Sequence, residues 1–309
     1  MPKQLAIIGF GNQAKAWALN LKDSGYEIFI GLRQDSSSLA AAKSLGLRPF
    51  IIGEPLPCSD VAMLTPDDTH LEIAAQIAQD VPFKEDIHLI FAHGYSLFFE
   101  RLAEKHPEFD CLLLAPKAIA SELRLQYEVK GKLGAVYSAE LSQSKNRATK
   151  KLKTLALDLG ISSFHPTTIE AETKADLFSE QALLCSSLPY SALFAFNKLI
   201  EKGINEETAY FECWYEVKLI ADAMVKMGPL KFFDLISPNA LEGSEIGKKQ
   251  LFDQNYFDKL EKLYEDIDNG NFHQHLEDTS VEATREKVAA FWKAQRLSET
   301  HEKMRKDLF

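Results

Sequence analysis

Short apolar runs recur through the first half of the chain, beginning at Leu5, Glu27, Val61, His88, Cys111 and Gly134. Between several of them lie amphipathic stretches of helical length, such as AKAWALNLKDSG and HLEIAAQIAQD. This alternation is typical of βαβ units, in which parallel strands alternate with helices. The pattern therefore predicts an α/β protein whose N-terminal domain, residues 1–166, is a Rossmann-like doubly wound parallel sheet.

From about Thr167 the pattern changes, and long segments of helical period replace the strands. The spacing of Thr173 and Asp176 resembles a capping box that would open one helix. Asn205 is a candidate cap for a later helix, which Gly228 and the following proline would end. We therefore expect an all-α C-terminal domain over residues 167–309.

Composition describes an ordinary globular chain of 309 residues, 46% of them hydrophobic, with a formal net charge of −10. This acidic balance argues against nucleic acid or an anionic membrane as a partner, because both attract basic surfaces. The longest uncharged run, Gln181 to Asn197, contains a proline and is shorter than the ~20 apolar residues of a membrane span. We expect a protein without a signal peptide or membrane segment that binds a small molecule.

The four cysteines, Cys58, Cys111, Cys185 and Cys213, are scattered along the chain, and none forms a CxxC pair. Their mostly apolar neighbours predict buried free thiols rather than a disulfide framework or a zinc site. Free thiols persist in a reducing compartment, so a cytoplasmic location is expected.

A glycine-rich turn follows the first predicted strand and opens a helix. It reads Gly9, Phe10, Gly11, Asn12, Gln13 and Ala14. A GxGxxA turn in this context brings a pyrophosphate against a helix N-terminus. A plain tight turn is the structural alternative, but the position at the start of a βαβ series favours dinucleotide binding.

The end of the second strand bears on the choice of nucleotide. Many NAD enzymes carry an acidic residue there for the ribose 2′-hydroxyl, whereas this chain has Arg33. Ser36, Ser37 and Ser38 follow and add hydroxyl donors for a 2′-phosphate. The sequence favours NADPH over NADH, although Asp35 would repel that phosphate if it pointed inward.

His93 and Lys117 follow the fourth and fifth apolar runs. Ligands of open parallel sheets collect at the carboxyl ends of the strands, so both residues are expected at the nucleotide-binding edge. A lone histidine there is often structural and a lone lysine often solvated. Together they indicate a catalytic pair facing one crevice.

Two acidic pairs have helical i, i+4 spacing within apolar stretches, Asp176 with Glu180 and Glu212 with Glu216. Residues at this spacing share one helix face, where like charges repel. Burial makes ionised carboxylates costly unless a cation neutralises them. Oxygen donors alone suit a hard ion such as Mg2+. The alternative is that each pair edges a solvated helix face.

Several segments, GFGNQAKAWALNLKDSGYEIFIGLR, FAHG, LLLAPK, ETKADLFSEQALLC and AYFECWYEVKLIAD, resemble the ketol-acid reductoisomerase family in its short, class I form. The resemblance runs from the first strand to about Gly243. It implies magnesium-dependent alkyl migration in a 2-hydroxy-3-keto acid such as 2-acetolactate, then reduction by NADPH to the 2,3-dihydroxy acid. This is a common step of valine and isoleucine synthesis.

The resemblance also assigns roles to residues. Asp176 and Glu180 would bind metal, with Asp176 bridging two Mg2+ ions. The neighbouring subunit would supply Glu212 and Glu216, which implies a homodimer or an assembly of dimers. Catalytic roles fall on His93, Lys117, Glu180 and Ser237, with Ser237 holding the substrate carboxylate. Gly9, Phe10, Gly11, Asn12, Gln13, Arg33, Ser36, Ser38 and His93 would contact the nucleotide.

The chain departs from the family after the catalytic lysine, where PKAIAS replaces the usual PKGPGH. Loss of two glycines removes places where backbone approaches a ligand closely, and Ile119 adds bulk. Three alternatives therefore stay open: a related 2-hydroxy-3-keto acid as substrate, a non-catalytic NADPH-binding protein, and another Rossmann enzyme such as a 3-hydroxyacid dehydrogenase. The last would not explain four carboxylates.

Overall fold

The structure is a computed structural model that describes residues 3–80 and 87–308. It divides into two compact units, Met1–Thr173 and Lys174–Phe309. The division falls inside one helix, Ile169–Ser179. Each unit has its own core and is described separately.

The first unit contains an eight-stranded sheet in the order β3-β2-β1-β4-β5-β6-β7-β8. The strands are β1 Lys3–Ile8, β2 Tyr26–Leu32, β3 Arg48–Ile51, β4 Asp60–Met63, β5 Ile87–Phe91, β6 Phe109–Pro116, β7 Gly134–Ser138 and β8 Ser163–Pro166. All neighbours pair in parallel except β6 with β7. The predicted Rossmann-like sheet is confirmed.

All six predicted strands are present, whereas β3 and β8 were missed. Both are four-residue strands at the edges of the sheet. Each contains a proline, Pro49 or Pro166, and neither contains a fully buried residue. Edge strands tolerate proline and need no apolar run, so their sequences carry a weak strand signal.

Side chains of the central strands alternate between two cores. In β1, Leu5 and Ile7 point to one layer, while Ala6 and Ile8 point to the other. This period of two follows from the pleat of the strand. Covering both faces with helices makes the strands apolar throughout, which explains why they appear as continuous hydrophobic runs.

Seven helices lie wholly within the described part of this unit. They are α1 Asn12–Asp23, α2 Ser38–Ser44, α3 His70–Asp80, α4 Tyr95–Phe98, α5 Leu102–Lys105, α6 Ala120–Glu128 and α7 Lys145–Asp158. An eighth, α8 Ile169–Ser179, continues into the second unit. Trp17 of α1 is fully buried and anchors that helix against the sheet.

The described second unit is helical, as predicted. Its further α-helices are α9 Ser187–Glu201, α10 Glu206–Tyr210, α11 Glu216–Met227, α12 Pro229–Leu235, α13 Pro238–Leu251, α14 Gln254–Asp268, α15 Asn271–Glu277, α16 Val281–Lys293 and α17 Arg296–Leu308. The small core includes Leu193, Phe196, Tyr210 and Leu297.

Two of the three predicted helix boundaries are confirmed. The Asn205 side chain accepts a 2.8 Å hydrogen bond from the backbone N–H of Thr208. α11 ends before Gly228, which has a φ of 77°. The predicted capping box is wrong, because Thr173 lies inside α8 and its hydroxyl donates to the carbonyl of Ile169 at 2.8 Å.

Two π-helical segments, Glu180–Leu184 and Phe211–Tyr215, interrupt the helical pattern of the second unit. In the first, the N–H of Cys185 donates to the carbonyl of Glu180 across five residues, at 3.0 Å. Both segments pack against α9. π-Helical turns are rare and often occur at functional sites.

The second unit exposes large apolar side chains, among them Phe194, Val225, Leu230 and Leu235. One helical stretch, Ile169–Glu201, is long and apolar enough to span a membrane by length and composition alone. Core helices of soluble proteins meet the same two criteria.

All four cysteines lie in the described ranges and are free thiols, as the sequence predicted. Cys111 is buried, whereas Cys185 is exposed. The expectation that all four are buried is therefore wrong.

Candidate functional site

A cleft of about 470 Å³ lies at the carboxyl ends of the central strands. It is lined by Gly9, Phe10, Gly11, Gly31, Leu32, Arg33, Ser36, Ser38, Ile52, Thr65, Pro66, Thr69, Glu72, Ile73 and Gln76. They come from the ends of β1 to β4 and from α3, and the strand order reverses between β1 and β4. Open α/β sheets bind ligands at this switch point.

Gly9 has a backbone conformation that suits only glycine. Its φ is 98°, and a Cβ atom there would lie 2.9 Å from the carbonyl oxygen of Leu64. Its N–H donates to the carbonyl of Gly31 at 3.0 Å, which ties the glycine turn to β2. The backbone at Gly9 can therefore approach a ligand in the cleft closely, since no side chain separates them.

The loop after β2 presents the groups predicted to select the nucleotide. Arg33, Ser36 and Ser38 line the cleft, while Asp35 is solvent-exposed. The N–H of Ser36 donates to the carbonyl of Arg33 at 3.0 Å, which closes the turn. A guanidinium beside two hydroxyl groups is well suited to bind a phosphate.

Six of the nine residues predicted to contact the nucleotide line this cleft: Gly9, Phe10, Gly11, Arg33, Ser36 and Ser38. Asn12 and Gln13 begin α1 and are not among the lining residues, and neither is His93. Sequence reasoning missed the opposite wall, formed by Thr65, Pro66 and Thr69. The sequence TPDDT over these residues could have indicated this wall, because turn residues at the carboxyl end of a strand lie at the ligand-binding edge of the sheet.

A second polar cluster surrounds Glu172 of α8. The Lys117 ammonium donates to Oε1 of Glu172 at 2.8 Å, and the N–H of Gly94 donates to Oε2 at 2.8 Å. Nε2 of His93 lies 3.9 Å from the same Oε2. The side chain of Glu172 is 1% exposed, and these donors compensate for its burial.

His93 has a second acidic neighbour. Its Nδ1 lies 3.5 Å from Oδ2 of Asp67, a residue of a short 3₁₀ turn after β4. The ring also stacks on Tyr95, with centroids 6.4 Å apart. Two carboxylates and an aromatic ring restrict the orientation of His93, so it can hold or move a proton at a defined place.

The structure thus places the predicted residues His93 and Lys117 around one buried carboxylate that sequence reasoning did not identify. Glu172 lies four residues before Asp176 on α8. The helical spacing that marked Asp176 and Glu180 extends back to Glu172, so the signal for it was present in the sequence.

The predicted metal-binding carboxylates all lie in the second unit. Asp176 is on α8, Glu180 opens the first π-helical segment, Glu212 lies in the second, and Glu216 begins α11. Asp176 is partly buried, whereas the other three are exposed within a single chain. In one chain, therefore, Glu180, Glu212 and Glu216 lie on solvent-exposed surface.

The electrostatics around the first pair indicate a concentration of negative charge. Burial and the charges of Glu180 and Asp176 raise the pKa of the Cys185 thiol. Carboxylate oxygens are the donors that Mg2+ prefers, so the donor set fits a hard divalent cation.

Ser237 caps α13, since its hydroxyl accepts a 3.2 Å hydrogen bond from the N–H of Ala240. It is exposed in the described chain. Ile119, in the segment after Lys117, is also exposed and precedes α6. Both positions are open to solvent in the described chain.

A doubly wound sheet, a glycine turn at its switch point and a polar cluster at strand ends define a nicotinamide nucleotide-dependent oxidoreductase. A family model described as acetohydroxy acid isomeroreductase, NADPH-binding domain, matches residues 1–163. A second, ketol-acid reductoisomerase, C-terminal domain, matches residues 169–308. The chain belongs to the ketol-acid reductoisomerase family.

Individual relatives agree with this assignment. The chain is 33% identical over 275 residues to a ketol-acid reductoisomerase (NADP(+)) of Psychrobacter sp. (strain PRwf-1), covering 87% of this chain and 80% of the relative. A solved NADH-preferring ketol-acid reductoisomerase from an uncultured archean is 27% identical, with a TM-score of 0.85 over 98% of this chain and 94% of that one.

More distant structures share the fold alone. A semialdehyde dehydrogenase NAD-binding protein from Cupriavidus necator is 18% identical, with a TM-score of 0.65 over 87% of this chain and 99% of that chain.

Proposed function

We propose that this chain is a magnesium-dependent ketol-acid reductoisomerase that uses NADPH. Its substrate would be 2-acetolactate or 2-aceto-2-hydroxybutanoate, and its product the corresponding 2,3-dihydroxy acid of branched-chain amino acid synthesis. The observation that carries the proposal is the series Glu172, Asp176 and Glu180 at helical spacing, with Glu172 bonded to Lys117.

Asp176, Glu180, Glu212 and Glu216 would hold two Mg2+ ions. When bound, the metal ions would polarise the substrate's carbonyl and hydroxyl oxygens, and the nicotinamide would supply hydride. The Lys117–Glu172 ion pair holds the lysine ammonium beside the end of β6. His93, held between Asp67 and Glu172, orients a proton, and the N-terminus of α13 beside Ser237 favours a substrate carboxylate.

NADPH is proposed as the cofactor because Arg33, Ser36 and Ser38 line the nucleotide cleft. NADH is the alternative, and one solved relative is described as NADH-preferring. A nucleotide without the 2′-phosphate would leave the Arg33 guanidinium without an anionic ligand.

A homodimer, or an assembly of dimers, is proposed as the active form. Glu212 and Glu216 are exposed in one chain, as are Val225 and Leu230 nearby in the sequence. A second subunit that covered these apolar groups would also lower the local dielectric and strengthen a shared metal site. On this proposal the apolar helix Ile169–Glu201 faces protein, and the enzyme is cytoplasmic.

A divergent substrate is the second candidate. Ile119 is 75% exposed just after Lys117, where the family usually has a glycine-rich segment. A bulky apolar side chain at this edge favours a 2-hydroxy-3-keto acid with a different alkyl group. A non-catalytic nucleotide-binding protein is the third.

The test is NADPH oxidation by the purified protein with 2-acetolactate, with and without Mg2+, for the wild type and Asp176→Asn. We expect magnesium-dependent oxidation that Asp176→Asn abolishes while NADPH still binds, with Asp222→Asn as a matched control on α11. Turnover only with another 2-hydroxy-3-keto acid would support the divergent substrate. Nucleotide binding without turnover of any such acid would refute the enzymatic proposal.

A further inference from the structure

The first turns of α3 give the nucleotide cleft an acidic group that no phosphate would attract. Glu72, Ile73 and Gln76 all line the cleft. Gln76 is three residues after Ile73 and four after Glu72, so the three side chains share one face of the helix. Glu72 is solvent-exposed. Because a carboxylate repels the phosphates of a dinucleotide, its place in this cleft points to a different part of the ligand as its partner.

A hydrogen bond within α3 sets the orientation of that carboxylate. Nε2 of Gln76 donates to Oε1 of Glu72 at 3.0 Å. Gln76 is half-buried, which restricts its side chain and hence the direction of the carboxylate. An ionised carboxylate has two oxygens and about four lone-pair sites, so Glu72 can accept a further N–H from a ligand.

Two isoleucines give the same cleft an apolar surface. Ile73 is buried in a hydrophobic cluster, and Ile52 is half-buried and packs against that cluster. The N–H of Ile52 donates to the carbonyl of Leu32 at 3.0 Å, which fixes Ile52 beside the end of β2. Apolar side chains together with one oriented carboxylate suit a flat ring that carries an N–H group at its edge.

The neighbouring phosphate-binding groups decide which ring of the nucleotide this is. Arg33, Ser36 and Ser38 line the same cleft, and the 2′-phosphate that they would bind is attached to the adenosine ribose of NADPH. The adjacent base is therefore adenine. The nicotinamide ring has to reach His93 and Lys117, which follow β5 and β6 and are not among the described residues that line this cleft.

We propose that Glu72 recognises the adenine base by accepting a hydrogen bond from its 6-amino group. Gln76 orients the carboxylate, and Ile52 and Ile73 contact the ring. Glu72 is thus a specificity-determining residue for the base of the nucleotide. The inference rests on the NADPH-binding part of the proposed function, and neither magnesium nor the identity of the substrate enters it. A failure of the reductoisomerase assay would leave it standing.

The experiment compares the Kd for NADPH with the Kd for reduced nicotinamide hypoxanthine dinucleotide phosphate, in which a carbonyl replaces the 6-amino group. Nicotinamide fluorescence measures both, with the metal omitted. Wild type should bind NADPH roughly tenfold more tightly, because the hypoxanthine carbonyl would face the carboxylate without a proton between them. The amide of Glu72→Gln can donate to the carbonyl or accept from the amino group, so this variant should bind the two nucleotides nearly equally.

Glu122→Gln is the matched control, because Glu122 forms the same i, i+4 pair with Gln126 on α6, and α6 does not line the cleft. It should keep the wild-type preference for adenine. Thermal unfolding of the variants shows that each is folded.

A wild type that binds the two nucleotides equally would overturn the proposal, as would a Glu72→Gln protein that keeps the wild-type preference. Equal tightening of both nucleotides in Glu72→Gln would also overturn it, because Glu72 would then only repel phosphate. A wild type that binds neither nucleotide would refute the proposed function together with this inference.

Discussion

The Lys117 ammonium donates a 2.8 Å hydrogen bond to Glu172, whose side chain is almost completely buried. The other oxygen of the same carboxylate accepts the N–H of Gly94 at 2.8 Å. One side chain of α8 therefore ties the end of β6 to the loop after β5. This bond pair fixes the predicted catalytic residue Lys117 relative to the backbone next to His93.

Replacing that carboxylate should impair catalysis more than nucleotide binding. Glu172→Gln keeps the size of the side chain but removes the charge that pairs with Lys117, so turnover should fall by roughly 10²-fold or more. NADPH affinity should stay within about twofold, since Glu172 does not line the cleft. Steady-state kinetics and fluorescence titration measure the two effects, with Glu170→Gln as the control. An equal loss of both would mean that Glu172 only supports the fold.

Gly94 leaves no room for a side chain. A Cβ atom at this position would overlap Oγ1 of Thr173 and lie 3.1 Å from Oε2 of Glu172. Gly94→Ala should therefore lower the free energy of unfolding by about 1–3 kcal/mol. It should also lower turnover, because Glu172 has to move away from Lys117.

The control for that change is Gly247→Ala, in the middle of α13, where a Cβ atom meets nothing within 4 Å. It should raise stability by about 0.5–1 kcal/mol through helix propensity. Thermal unfolding measures both variants. Equal stability of the two alanine proteins would contradict the predicted crowding at Gly94.

Arg33 should discriminate between the two nicotinamide nucleotides. Arg33→Ala removes a charged hydrogen-bond donor from the cleft, which should weaken NADPH by roughly ten- to a hundredfold and leave NADH nearly unchanged. Arg48→Ala, an exposed arginine paired with Glu27, is the control. Parallel titrations of the variant with NADPH and NADH measure the two affinities. Equal weakening of both would contradict the prediction that Arg33 binds the 2′-phosphate.

The exposed apolar residues of the second unit should mediate self-association. Val225 is 80% exposed and Leu230 is 77% exposed in a single chain. The wild type should be a dimer or larger by light scattering, and Val225→Asp with Leu230→Asp should shift it toward monomer with loss of turnover. Val129→Asp, at an exposed apolar position in the first unit, should leave the assembly intact. A fully active wild-type monomer would refute the shared site.

Periodicity predicted the elements that bury a continuous apolar face. The six predicted strands, α1 and α3 are of this kind, because alternation and helical spacing directly record which side chains leave water. β3 and β8 gave no such signal, since an edge strand buries little apolar surface and tolerates proline. The predicted capping box was wrong because α8 already begins at Ile169, so Thr173 lies inside the helix and cannot cap its start.

The sequence by itself determined the dinucleotide turn at Gly9, the cation at Arg33 and the spacing of the acidic residues, because these depend on residue type and local period. Tertiary structure alone decided that Glu172 holds Lys117 and that the Thr65–Thr69 segment forms the second wall of the cleft. Such contacts join residues far apart in the chain. Their partners are chosen by strand order and helix packing, which no local pattern encodes.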